Sequence, residues 1–159
     1  MCLTTTKRRP DVAGESITCY KVMYIANGNS IFSPICAPTM TVMPRYFMSM
    51  FINMWYKPGI VYTETNLLPA NENPRGYKVD IFCGFHSYKR QKDAEEVAKI
   101  GYWKVIVKCE IPAGARYWTG NHTRKDKDYL EYCSESIKIT AYKLPGEDNE
   151  WIDVSGERQ

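Results

Sequence analysis

The sequence predicts an α+β fold, a mostly antiparallel curved sheet of about six strands with two helices. Three observations point there. β-branched and aromatic runs dominate, above all ITCYKVMYIA at 17–26 and WKVIVKCE at 103–110. Clusters of glycine, proline and asparagine separate the runs. Only two segments carry helical spacing, one around Phe47–Trp55 and one opening at Asp93.

The elements follow in order. Residues 1–15 are polar and basic, with Lys7, Arg8 and Arg9 adjacent, and read as a flexible arm. Residues 16–144 form the domain. The run 17–26 is apolar on both faces except at Thr18 and Lys21, so it belongs at the centre of the sheet. Asn27-Gly28-Asn29 supplies residues that tolerate positive φ, and Ser30–Ile35 reads as the returning strand, confined to an edge by Pro34. Phe47, Met50, Phe51, Met54 and Trp55 share one helical face, which reads as a helix packed on the core or as a soft surface for a partner. Ile60–Thr65 is a short strand, 66–78 a loop and Val79–Phe82 another short strand. Asp93 with Glu96 matches a capping box, and Gly101 stops the helix. In 103–110, Trp103, Val105, Val107 and Cys109 share one face. A turn at 112–115, a short extended piece at 116–118, a polar exposed loop at 119–128 and a last strand at 136–142 complete the domain. Residues 145–159 form an acidic tail.

Composition sets the outer bounds. A chain of 159 residues has room for one domain with a real core. With 44% hydrophobic and 25% charged residues, disorder over the whole length is excluded. No stretch approaches the ~20 apolar residues of a membrane span. The net charge of +3 is mild, which makes nucleic acid an improbable partner and leaves an unknown small ligand or a protein. Its clustering at Lys7–Arg9, Lys89–Lys92 and Arg124–Lys127 fits either solvated faces or a phosphate site at the second or third run. The six cysteines include no C-x-x-C pair, and three lie inside predicted strands, where a thiol packs as a small apolar group. No apolar leader precedes them, so reduced thiols in a cytoplasm are expected. No metal site is expected.

The catalytic signatures of nucleotide-binding loops, serine hydrolases and zinc proteases are missing. Four places remain. Gly84-Phe85-His86-Ser87-Tyr88 sets an aromatic, an imidazole and two hydroxyls before a helix start, which suits an anion. Equally, the glycine and Phe85 shape a turn and His86 satisfies a carbonyl. Arg116-Tyr117-Trp118 offers a planar charge with aromatics, a grip for a nucleotide or peptide, or else a rigid turn. The 119–128 loop holds His122 and three cations. Glu131 is a carboxylate near a strand end, solvated or catalytic.

Four stretches carry a resemblance: Cys83-Gly84-Phe85-His86-Ser87-Tyr88, Lys92-Asp93-Ala94 at the helix start, Val105–Gly114 and Tyr132–Ile139. Over roughly 17–143 the chain resembles small uncharacterised proteins of gut bacteria and their phages, which carry a C-x-x-G-[FL]-H turn before a short helix. That resemblance implies no known activity. More distantly the chain is similar to the ADP-ribosyltransferase fold. There a turn bearing an aromatic or Ser frames nicotinamide and a late strand bears a catalytic Glu. Ser87 or Tyr88 and Glu131 hold the matching positions, while the first strand offers Tyr20 and Lys21 where that family has His or Arg. The expected function is a small intracellular accessory protein of phage or mobile-element type. It would bind a ligand, a nucleotide among the candidates, or a protein partner. The binding residues would be Lys21, Phe85, His86, Ser87, Tyr88, Arg116, Tyr117 and Trp118. The alternatives are a transferase acting on NAD through Glu131, NAD being the one cofactor the resemblance admits, and a structural protein of a phage particle.

Overall fold

A computed structural model describes residues 3–26, 31–34, 59–63, 73, 75–81, 84–99, 104–124, 126–143 and 150–154. Its elements are β1 (Leu3–Thr5), β2 (Asp11–Val12), β3 (Ile17–Ala26), β4 (Ile31–Pro34), β5 (Val61–Thr63), β6 (Val79–Ile81), β7 (Phe85–Tyr88), α1 (Gln91–Ala98), β8 (Lys104–Ile111), β9 (Arg116–Arg124), β10 (Lys127–Ser134), β11 (Ser136–Lys143) and β12 (Ile152–Asp153). All twelve strands join one sheet, in the order β12-β11-β8-β3-β7-β10-β9-β1-β6, with β2 on β9, β4 on β3 and β5 on β11. Every pairing is antiparallel.

This corrects the expectation of about six strands with two helices. Among the described residues there is one short helix, and the strand count is twice that expected. Three of the added strands, β1, β2 and β12, are two or three residues long, too short for alternation to register. The polar segment 119–128, read as a loop, is the tip of a long hairpin: β9 and β10 pair from Tyr117↔Ser134 to Arg124↔Lys127, with Asp126 at positive φ in the turn. The basic arm supplies β1 and β2, and Leu3 is fully buried. Residues 150–154 of the acidic tail dock on β11, where Val154 is buried and Trp151 lies beside Tyr20 with Lys108 Nζ 4.6 Å above its ring. The Phe47–Trp55 segment and the Asn27-Gly28-Asn29 turn lie outside the described residues.

β3 spans Ile17–Ala26 and is central, paired with β8 on one side and with β7 and β4 on the other. In-register pairing sorts the side chains onto two faces. On one, Cys19, Met23, Phe85, Val105, Val107, Cys109, Tyr132 and Ile139 form the largest apolar cluster. On the other, Val22, Tyr88, Ile106 and Tyr129 receive Ala94 and Val97 of α1. Leu3, Ile81, Trp118 and Cys133 extend that second face.

The helix starts three residues earlier than its capping pattern suggests. Arg90 occupies the N-cap in extended conformation without a side-chain cap. Asp93 sits inside the first turn, where Arg90 Nε donates to its carboxylate at 2.8 Å. Glu96 does not close a capping box; it accepts from Tyr129 Oη at 3.1 Å and pairs with Lys127. Asp93 near the helix N-terminus still satisfies the helix dipole.

Candidate functional site

Two polar places emerge on opposite faces of the β7-β10-β9-β1 half of the sheet. The first is an open hollow of about 520 Å³, within the size range of small-molecule sites. Its floor is the β9–β10 hairpin beside β1. Thr119, Asn121 and Thr123 of β9 and Asp128 and Leu130 of β10 alternate toward it, with Thr4 of β1 on the same face. Its rim carries Lys7 after β1, Lys78 before β6 and Lys89 after β7. β1 can lie this close to β9 because residue 120 is glycine: a Cβ there would fall 2.2 Å from the Thr4 carbonyl oxygen. Lys89 is fixed by its backbone, whose N–H donates to the Leu130 carbonyl at 2.9 Å.

Several hollow residues are already engaged. Lys7 pairs with Asp11. Thr4 donates to Asp80 at 2.6 Å and Thr123 to Asp128 at 2.5 Å. Lys78 and Lys89 form no ion pair among the described residues. Against three ammonium groups stands one exposed lining carboxylate, Asp128. Glu131 borders the hollow as well, but register turns its carboxyl to the opposite, α1 face of the sheet.

The second place is a buried row on the α1 face. Register sets His86 opposite Cys133 and Tyr88 opposite Glu131. His86 Nε2 lies 3.7 Å from Cys133 Sγ, and His86 Nδ1 lies 3.9 Å from Glu131 Oε2. Thiol, imidazole and carboxyl therefore follow in the sequence of a nucleophilic triad. Their burial speaks for a polar seam inside the core: Cys133 is 0%, Glu131 2% and His86 7% exposed. Neither Glu131 oxygen has a hydrogen bond among the described residues. Burial pushes its carboxyl from 4.5 up to about 8, with the Lys21 charge opposing.

The residues singled out in the sequence separate accordingly. Phe85, His86, Ser87 and Tyr88 are a buried strand, not an open turn at a helix start: Phe85 enters the main core and Tyr88 packs under α1. Lys21 Nζ donates to the His86 carbonyl and ties β3 to β7. Arg116 lies away from His86 and Glu131 in register, and its Nε and backbone N–H hold Glu135 at 2.9 Å each. Tyr117 meets Tyr132 edge-on at 5.6 Å, and Trp118 is 1% exposed against Leu3 and Cys133. Glu131 alone among them touches the hollow. The threonines of β1 and β9 and the rim lysines were missed as a group. Their signal was the first and second basic runs, which supply Lys7 and Lys89; nothing local marks Lys78. Lys127 of the third run is taken by Glu96.

Among the described residues no cluster of His, Cys, Asp and Glu could hold a metal ion, and no helix is long and apolar enough to cross a membrane. No protein-family model, curated protein or solved structure matches the chain.

Proposed function

We propose that the protein is a small accessory binding protein that holds a phosphate-bearing small molecule of nucleotide size in the β1–β9–β10 hollow. The observation that carries this reading is the rim of Lys7, Lys78 and Lys89 over a floor of threonine hydroxyls and the Asn121 amide. Ammonium groups answer phosphate charge, and the Thr119 hydroxyl and Asn121 amide supply neutral donors that fix orientation. Leu130, 39% exposed on the floor, gives a small apolar contact for a base or sugar. The phage or mobile-element setting rests on the resemblance over 17–143. Cysteines packed as apolar groups favour a reducing cytoplasm.

Inorganic pyrophosphate, ADP and NAD, each titrated by calorimetry at low salt, test the reading. At least one is expected to bind, and Lys89→Glu is expected to weaken that binding tenfold or more, roughly 1.4 kcal/mol. Raising the salt should weaken it further, because the rim lysines are open to solvent. Absence of heat and of thermal stabilisation with all three probes refutes the proposal.

A further inference from the structure

We propose that Cys19 and Cys109 are a redox pair that closes to a reversible disulfide under peroxide. The two lie directly opposite each other in the β3–β8 pairing, on the same face of the sheet. Opposed residues of antiparallel strands have Cα atoms about 4.5 or 5.5 Å apart, and both spacings fall inside the roughly 4.4–6.8 Å that disulfides span. The two thiols perturb each other directly, and Cys109 Sγ donates to the Val107 carbonyl at 4.0 Å. Both are free and fully buried. Cys133, the third described cysteine, faces the opposite side of the sheet with Leu3, Ile81 and Trp118, so register selects one partner.

The pair is also chemically unequal. Burial pushes both thiols up. At Cys19, the contacts with Cys109 and Ser87 and the Lys21 charge outweigh it and lower the thiol, while burial holds Cys109 well above its ordinary range. Lys21 stands two positions from Cys19 on the same strand and the same face, which makes Cys19 the attacking sulfur and Cys109 the resolving one. In the first step the Cys19 thiolate attacks one oxygen of hydrogen peroxide. An S–O bond forms, the O–O bond breaks, and the departing hydroxide takes up the proton Cys19 released. In the second step Cys109 sulfur attacks the Cys19 sulfenic sulfur. The S–S bond forms, the S–O bond breaks, and hydroxide leaves with the Cys109 proton as water. The thiols lose two electrons, and peroxide becomes two waters. Burial slows the first step, since the oxidant must reach a closed site. The second needs no search, because the resolving thiol is already in place, so disulfide forms ahead of sulfinic acid.

The experiment treats the folded full-length chain with hydrogen peroxide well below its Tm, blocks remaining thiols, and maps peptides without reduction. The expected result is a Cys19–Cys109 linked peptide that dithiothreitol reverses, together with a Tm raised by roughly 5 °C or more. In Cys109→Ser, which keeps a small polar group, a sulfenic-acid probe should label Cys19 and the Tm rise should vanish. Recovery of both residues as free thiols after prolonged exposure overturns the proposal. So does over-oxidised Cys19 without a link, or a link to any other cysteine. Pyrophosphate, ADP and NAD binding play no part in this readout, so the disulfide and the hollow stand or fall separately.

Discussion

A carboxyl group loses its proton only where water or a donor stabilises the anion, and Glu131 is 2% exposed with neither oxygen hydrogen-bonded among the described residues. Its folded pKa of about 8 exceeds the ordinary 4.5. Between these values the folded chain keeps a proton that the unfolded chain has released. Stability is therefore full below about pH 4.5 and declines as pH rises toward 8, by at most about 1.4 kcal/mol per pH unit from this group. Glu131→Gln, neutral throughout, should flatten that decline in urea-unfolding midpoints measured from pH 5 to 8.5. Parallel curves for the two proteins would remove the basis for a protonated Glu131. Gly84 makes the companion case: its φ is +125° and an added Cβ would lie 2.2 Å from Cys133 Sγ. Gly84→Ala should cost about 2–4 kcal/mol in chemical denaturation. The sequence marks Gly84 as a special backbone position. It does not mark Glu131 as buried, because its neighbours Leu130 and Tyr132 face away and the groups that seal it come from β7 and α1.

Length decides which elements can be read locally. β3, β8 and β11 run eight to ten residues and are rich in β-branched and aromatic residues, so their composition announces them. β1 has three residues and is specified by what it docks on: Leu3 fills a space bounded by Ile81, Trp118 and Cys133, and Gly120 clears the way for its backbone. β9 hides for another reason. Its polar residues face the hollow, so the hydrophobic contrast that betrays a strand is weak. The helix was legible in place and not in its cap, because Arg90 and Lys127 claim the carboxylates that a capping box would use. Leu3→Ala tests the role of β1. It should lower stability by about 2–4 kcal/mol. Because Thr4 and Lys7 belong to the same segment, it should also weaken binding of whichever phosphate probe the hollow takes. A destabilised variant with unchanged affinity would separate β1 from the site.

At the scale of the molecule, the sheet mixes near and distant partners. β9 and β10 are joined by a tight turn and pair over eight positions, so they need little chain closure. β1 lies between β9 and β6, and its side-chain hydrogen bonds to Asp80 and Thr119 span 76 and 114 positions. No local pattern encodes such an order, which is why distant strand neighbours went unread while the return of β4 beside β3 was legible. The same arrangement orders assembly in time. Closing long loops costs entropy before the contacts they bring can compensate. β1 also has no surface to dock on until Trp118 and Gly120 of β9 and Ile81 of β6 are in place. Pulse-labelled hydrogen exchange during refolding should therefore find amides of 116–134 protected early and those of 3–5 protected last. Pyrophosphate, or whichever probe binds, should deepen protection of 3–5 in the native state while leaving β3 and β8 unchanged, since it ties the Lys7 end of β1 to the hairpin. Protection of 3–5 arriving together with the hairpin would mean that the N-terminal strand nucleates the sheet, and the hollow would then be a fixed feature of the core instead of a site completed by its last strand.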